Sequence, residues 1–433
     1  MVSPNVRSAA VFLLSVVAAC ASGAAEPNLP QTLPEYLRQA ALENAGLKAA
    51  FEGWKAALEQ VPQAEALPDP RFTYAYFIEE VETRVGPQEQ RFSLSQTFPW
   101  FGTIEARADA AASEARAARE RYEATRLNLF YEVKDAFHEY VYLKRAIEVA
   151  EDTVELVRHF EEVARARYAA ARAEHPDVIR AQIELAIIED KLEALRELRA
   201  PIVARLSAVL NRPAGASLPW PEPPEIELAQ ISRDMLSRTL RQRNPQLTAK
   251  EFELAGARSR ITLAKKQFYP DIAAGVDWID TDEAIAAGVR DSGKDPVILM
   301  FSLNLPIWRS SYKAAELQAR AAARRVRHEK TDLENDLIAR VERVLYDFED
   351  SGRKLTLYRD VLVPRAEELL GASEAAYTAG TVDFLSLLDA ERTLLDYLLQ
   401  RERAWTNRRQ RLAQLEMLVG ADLSRAGAAT ESP

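Results

Sequence analysis

The sequence predicts a mainly α protein with a small β part: long antiparallel helical hairpins and four short strands, the plan written twice in tandem. Three observations carry this. From 103 to 175 the chain has no Gly or Pro, the strongest interrupters of a helix. Within that run Leu127, Phe130, Val133, Phe137, Tyr140, Ile147, Ala150, Val154 and Val157 recur at helical intervals of three, four or seven positions. Kept helical, it would reach about 110 Å, whereas an average globular helix has roughly 11–12 residues. Second, matching residues recur in order: Asn44 and Asn244, Pro70 and Pro270, Phe92-Ser93-Leu94 and Phe301-Ser302-Leu303, Pro99-Trp100 and Pro306-Ile307-Trp308. Val133 and Val341, Tyr168 and Tyr377, Ala181-Gln182 and Ala390-Glu391, and Leu206 and Leu415 continue the series, with a spacing that drifts only from 200 to 209. Third, four segments alternate apolar and polar residues with the period of a strand.

In chain order, 1–25 reads as an export signal: Arg7 opens it, and the apolar core from Ala9 to Ala19 is too short to span a bilayer. Two processing sites are open. Val17-Ala18-Ala19-Cys20 has the form of a bacterial lipobox that would leave Cys20, the chain's one cysteine, lipidated. Gly23-Ala24-Ala25 would suit an ordinary signal peptidase, with Cys20 discarded. The first structural repeat is 26–210: an amphipathic helix at about 33–66, two strands, then a long helical hairpin. A proline-rich linker or irregular band at 211–227 holds Pro213, Pro219, Pro221, Pro223 and Pro224. The second repeat, 228–420, starts with a helix at about 228–267 and repeats the order. The tail, 421–433, reads as disordered.

The strands argue for a membrane. Phe72, Tyr74, Tyr76 and Ile78 alternate with smaller or polar residues, as do Phe92, Leu94 and Phe98. The second repeat offers Ile272, Ala274, Val276 and Trp278, then Val297, Leu299, Phe301, Leu303 and Leu305. Nine or ten residues of period two is the pattern of a transmembrane β-strand, with Ser93, Ser95, Thr97, Ser302 and Asn304 toward water. A small sheet packed on helices is the alternative reading. Four strands cannot close a barrel, which needs about eight, so a barrel requires several copies of the chain.

The net charge of −10, with no basic face, argues against a nucleic-acid partner. His138, His159, His175 and His328 are scattered without metal-ligand spacing, and no nucleophile, phosphate loop or cofactor motif stands out. Neither a metal site, nor a cofactor, nor an enzymatic activity is expected.

The duplication, the run Phe92-Ser93-Leu94-Ser95-Gln96-Thr97-Phe98-Pro99-Trp100-Phe101-Gly102, Tyr377-Thr378-Ala379-Gly380 and Leu388-Asp389-Ala390-Glu391-Arg392 together resemble the TolC family of outer-membrane efflux channels. The likeness covers nearly the whole mature chain, and Pro99-Trp100-Phe101-Gly102 leans toward the heavy-metal exporter branch. It implies a homotrimer with a twelve-stranded barrel in outer-membrane lipid, continued by a twelve-helix periplasmic tunnel. It also implies two protein partners, a periplasmic adaptor (membrane fusion) protein and an inner-membrane pump of the proton-driven resistance-nodulation-division type.

By the same resemblance the hairpin turns carry the gate and the adaptor contacts. Gly380 would end one helix and Asp383 cap the next, with Pro176-Asp177 doing similar work in the first repeat beside Ala171, where the family often has Gly, and Arg172. Tyr377 matches a gate tyrosine and Asp389 a ring of carboxylates at the tunnel entrance. Val382 stands in place of a gate arginine and Ser386 in place of a second ring aspartate. Plain turn-making for Asp177 and Asp383, and a solvated helix face for Asp389, are the bland alternatives. For the whole chain the competing readings are a periplasmic coiled-coil adaptor and a helical scaffold without a pore. Adaptors usually have one hairpin between glycine-rich β domains; this chain has two hairpins and 15 Gly.

Overall fold

A computed structural model of the protein describes residues 29–213, 215–223 and 231–423; the export segment with Cys20, residues 224–230 and residues 424–433 of the expected tail lie outside them. The first half runs α1 (Leu33–Glu43), α2 (Ala45–Glu65), β1 (Arg71–Thr83), β2 (Gly86–Phe98), α3 (Thr103–Ala169), α4 (His175–Glu197) and α5 (Arg199–Val209). The second runs α6 (Arg233–Arg243), α7 (Pro245–Lys266), β3 (Ile272–Thr281), β4 (Val297–Leu303), α8 (Arg309–Leu357), α9 (Val363–Ala379) and α10 (Phe384–Val419). Both halves place two short helices, two strands and a long hairpin in that order.

The single helices expected at 33–66 and 228–267 are each two helices, a correction with one cause. Asn44 and Asn244 adopt extended backbone, and each side-chain oxygen accepts the amide of the next helix, from Leu47 at 2.9 Å and Leu247 at 3.0 Å. Each side-chain NH2 donates across the fold, to the Val209 carbonyl at 3.0 Å and the Leu418 carbonyl at 2.7 Å. The break is a helix N-cap that also ties the start of a repeat to its end.

Helix α3 has 67 residues, about 100 Å at 1.5 Å per residue. It buries more than one stripe because it packs against α2, α7, α4 and α10. Tyr36 of α1 meets Phe137 edge to face, 5.3 Å between ring centres, at the heart of the largest core. Part of the proline-rich segment belongs to that core. Leu218 is buried, its carbonyl accepts from Tyr140 Oη at 3.1 Å, and Trp220 stacks on Tyr140 at 4.9 Å. It is a band wrapped on the helices rather than a free tether. Helices α8 and α9 join through a π-helical turn, Tyr358–Leu362. Pro364, just beyond, has no N–H to give the preceding turn, and one wide turn absorbs that loss without breaking the rod.

The strands form one antiparallel sheet in the order β1-β2-β3-β4. Its register lines up Tyr74, Phe92, Trp278 and Val297 in one row, and Phe72, Leu94, Val276 and Leu299 in the next. Phe98, Ile272 and Leu303 form a row nearest the helices. These side chains are exposed or half-exposed, so one sheet face is an uncovered apolar band. The opposite face is largely polar: Asp277 is buried there and accepts from Arg91 and Ser93, whereas Gln90 and Asp280, bonded at 3.3 Å, lie beyond the apolar rows on the Phe92–Trp278 face. Gly275 keeps β2 and β3 close, since a Cβ there would lie 3.0 Å from the Leu94 carbonyl oxygen.

The helices continue the lateral order of the strands. Next to the sheet the neighbours run α2, α3, α7, α8; toward the hairpin turns they run α4, α3, α10, α9. Elements of the first half therefore occupy one flank throughout and elements of the second half the other. No helix among the described residues is long and apolar enough to cross a membrane.

Candidate functional site at the hairpin tips

The two turns lie side by side at the end of the rod away from the sheet. In the first, Ala171 adopts a left-handed conformation (φ 55°), and the Arg172 amide donates back to the Arg167 carbonyl at 2.8 Å. In the second, Gly380 is left-handed (φ 80°) and the Thr381 amide donates to the Ala376 carbonyl at 2.9 Å. Only the second turn has a glycine for this conformation; Ala171 carries the steric cost of a Cβ there.

Asp383 caps α10, accepting from the Ser386 amide at 3.0 Å and its hydroxyl at 2.6 Å. Those bonds hold its carboxyl below the usual carboxylate range. The first turn is built differently from expectation. Helix α4 starts at His175, Glu174 occupies the N-cap without a side-chain cap bond, and Pro176 lies in the first turn. Asp177 is thus already helical and faces Arg180 at 3.6 Å instead of capping. Partial burial pushes its carboxyl up, and the nearby Glu174 and Asp383 add to this against Arg180 and Arg167.

Tyr377 is buried against Phe384, ring centres 5.2 Å apart. Over its ring, at 4.6 Å, sits the guanidinium of Arg167 from the other hairpin. Arg167 also donates to the Tyr377 carbonyl, to the Thr378 carbonyl at 2.6 Å and to the Arg172 carbonyl at 3.2 Å. One arginine therefore joins both turns, and nothing in the sequence marks it, because its partners are main-chain oxygens. Replacing Arg167 with Ala is expected to weaken the junction by about 2 kcal/mol, from lost charged hydrogen bonds and the ring contact. Hydrogen exchange around residues 377–381 should accelerate at least about tenfold by that figure; an unchanged rate would refute the linking role.

Val382, in the turn before the Asp383 cap, and Ser386 and Asp389 of α10 are exposed, whereas Tyr377 is buried. The structure thus brings Tyr377, Ala171, Arg172 and Gly380 together around Arg167, while the other three point outward. Deeper in the hairpins, Arg392 of α10 pairs with the buried carboxylate of Glu184 of α4, Nε at 3.0 Å. Glu391 beside it is also buried. The repeat match of Ala181-Gln182 with Ala390-Glu391 gives no sign of this, because Gln182 is exposed while Glu391 is buried. Among the described residues, no group of three or more His, Cys, Asp or Glu could hold a metal ion.

A chain of paired helical hairpins rising from a four-stranded sheet with an uncovered apolar face defines the outer-membrane channel class. The model of the family described as outer membrane efflux protein matches residues 36–212 and 236–421, and the chain belongs to that family. The chain is 22% identical over 388 residues to nodulation protein T of Rhizobium leguminosarum bv. trifolii, covering 84% of this chain and 79% of that one. It is also 22% identical over 375 residues to cobalt-zinc-cadmium resistance protein CzcC of Cupriavidus metallidurans, covering 84% of each. The fold superposes on the outer membrane protein VceC of Vibrio cholerae with a TM-score of 0.74 at 19% identity, over 90% of this chain and 96% of that one. The family is one of transport channels, not of enzymes, and serves tripartite efflux systems with an adaptor and an inner-membrane pump. Membership places the chain in the Gram-negative outer membrane, with a periplasmic extension.

Proposed function

We propose that three copies of this chain close side by side into a passive conduit, a twelve-stranded barrel in the outer membrane continued by a periplasmic helical tube. The observation that carries this reading is the free edges on opposite flanks, β1, α2 and α4 on one side and β4, α8 and α9 on the other. An open sheet edge is a liability, and four strands are too few to close alone. Joining β4 of one copy to β1 of the next satisfies both edges. The same head-to-tail contact brings exposed Ile179, Ile183 and Ile187 of α4 toward exposed Val361 and Leu369 of the next copy. The apolar rows then face lipid, and the Arg91–Asp277–Ser93 face lines water.

The tips take the roles of docking and gating. Ala171, Arg172, Asp177, Gly380 and Asp383 form the surface offered to a periplasmic adaptor, and Tyr377 holds the turns in one arrangement. Val382, Ser386 and Asp389 face the entrance, where Asp389 supplies one carboxylate per copy to a ring. The chain does no chemistry of its own. A proton-driven pump of the resistance-nodulation-division type supplies the energy, and the cargo is metal cations or small toxic compounds. The name of CzcC supports the metal-cation class.

The test is the purified full-length protein in detergent and in planar bilayers: a trimer that conducts ions supports the conduit, and a monomer that conducts none overturns it. Asp389→Asn is expected to lower the cation-over-anion permeability ratio severalfold, since a carboxylate ring attracts cations into a narrow aqueous path. A reversal potential equal to that of the unaltered protein in a salt gradient would eliminate the ring.

A further inference from the structure

About two turns in from the tips, charged groups meet between the hairpins. Glu184 of α4 is buried but matched by the two-pronged contact from Arg392. Glu391 of α10 is 1% exposed, and neither carboxylate oxygen has a hydrogen-bond partner. An unpaired carboxylate anion in a dry helix contact is costly, whereas its protonated form is tolerated. In the first repeat the matching residue is Gln182, a neutral amide that donates to Glu161 at 3.2 Å. Gln182 is exposed, so the second repeat buries an ionisable group at a position that the first repeat leaves at the surface.

We propose that Glu391 is a proton-operated catch between the two hairpins: with its proton on, α4 and α10 pack together, and with it off the junction loosens and the tips can part. The gating consequence rests on the conduit reading above; the catch itself rests on Glu391 and its neighbours.

The surroundings fit. From α4, Glu184 and Lys191 act on Glu391, and from α10, Arg392 does. Helix α3 contributes apolar Phe160 and Ala164 to this core, and its Glu161 is already held by Arg165 and Gln182. Helix α9 carries Glu374, which lies 3.8 Å from His159 of α3. Burial first, and the Glu184 charge second, push the Glu391 carboxyl up to about 7, against the opposing pull of Arg392 and Lys191. A loosened, hydrated Glu391 would titrate near 4.5, the ordinary value for a glutamate. Packing therefore binds the proton more tightly. It is undiminished below about pH 4.5, loses favour as pH rises toward 7, and levels off above that.

The experiment is hydrogen exchange of residues 387–395 in the full-length protein in detergent, at pH 5 and pH 8, corrected for intrinsic rates. Opening of this stretch in the unaltered protein is expected to rise more than about tenfold between the two. In Glu391→Gln, a neutral isostere, the rise should fall below about threefold, with protection retained at pH 8. Glu184→Gln, which removes the neighbouring charge, should move the transition to lower pH. A pH response in Glu391→Gln equal to that of the unaltered protein, or none in the unaltered protein, overturns the catch. Bilayer recordings separate the two readings. No conductance at any pH, with the exchange result as expected, sinks the conduit and leaves the catch standing; conductance with pH-independent exchange does the reverse.

Discussion

Arginine at Leu94 or Leu299 is expected to abolish most of the trimer in the outer membrane, while arginine at Leu303 should be tolerated far better. The register explains the difference. Leu94 and Leu299 share the middle row of the apolar face with Phe72 and Val276, whereas Leu303 pairs with Ile272 in the row beside the helices. A lipid-facing Arg costs about 2–4 kcal/mol at the bilayer midplane but only about 0–1 near the interface. At about 1.4 kcal/mol per factor of ten, one mid-row charge already means a roughly thirty- to several-hundred-fold shift. In the proposed three-copy barrel the penalty is incurred once per copy. Thr73 is the control, because it pairs with Ser93 on the polar face, and arginine there should leave insertion intact. The readout is the heat-resistant oligomer in the outer-membrane fraction. Normal yield from Leu94→Arg, or greater damage at Thr73 than at Leu94, would mean that the sheet faces are assigned the wrong way round.

That experiment depends on a pattern legible in the sequence. Alternation fixes which residues share a face whatever the tertiary structure, because successive side chains on a strand point to opposite sides. The long helices were legible for a similarly local reason: α3 fills most of the stretch without Gly or Pro. Its burial was less legible. The apolar stripe from Leu127 to Val157 marks one packed face, but the helix also buries Leu129, Ala136, Leu143 and Ala164 because neighbours flank it on several sides.

The candidate site was read unevenly. Gly380 and Asp383 act through their own backbone and next turn, so their positions follow from local rules. Asp177 did not behave as Asp383 does. His175-Pro176 starts the helix early, and proline suits a first turn, which carries the aspartate past the cap position. Arg167, Glu184 and Glu391 draw their significance from groups on another helix, and such pairings arise only once the hairpins are packed.

The Asn44–Asn244 match shows how a repeat can be visible while its reason is hidden. Spacing exposes the pair, and the structure supplies the cause, since each amide both starts a helix and holds the last turn of its repeat. Asn244→Ala should therefore be the more damaging of the two. Loss of the cap costs about 1 kcal/mol, and the bond to the Leu418 carbonyl, left unsatisfied in a buried site, adds about 1–3. Asn244 is 3% exposed, so water cannot stand in. Asn44 is only half-buried, and Asn44→Ala should cost nearer 1 kcal/mol, the cap alone. Asn244→Asp separates the two halves of the interaction: it keeps an acceptor for the Leu247 amide but offers no donor to Leu418. Exchange at the start of α7 should then stay slow while the end of α10 loosens. Because the two sites sit in different repeats and share no partner, the double alanine variant should show the sum of the single effects. Equal costs at both positions, or fast exchange at both ends in Asn244→Asp, would show that the amides do not work as paired ties.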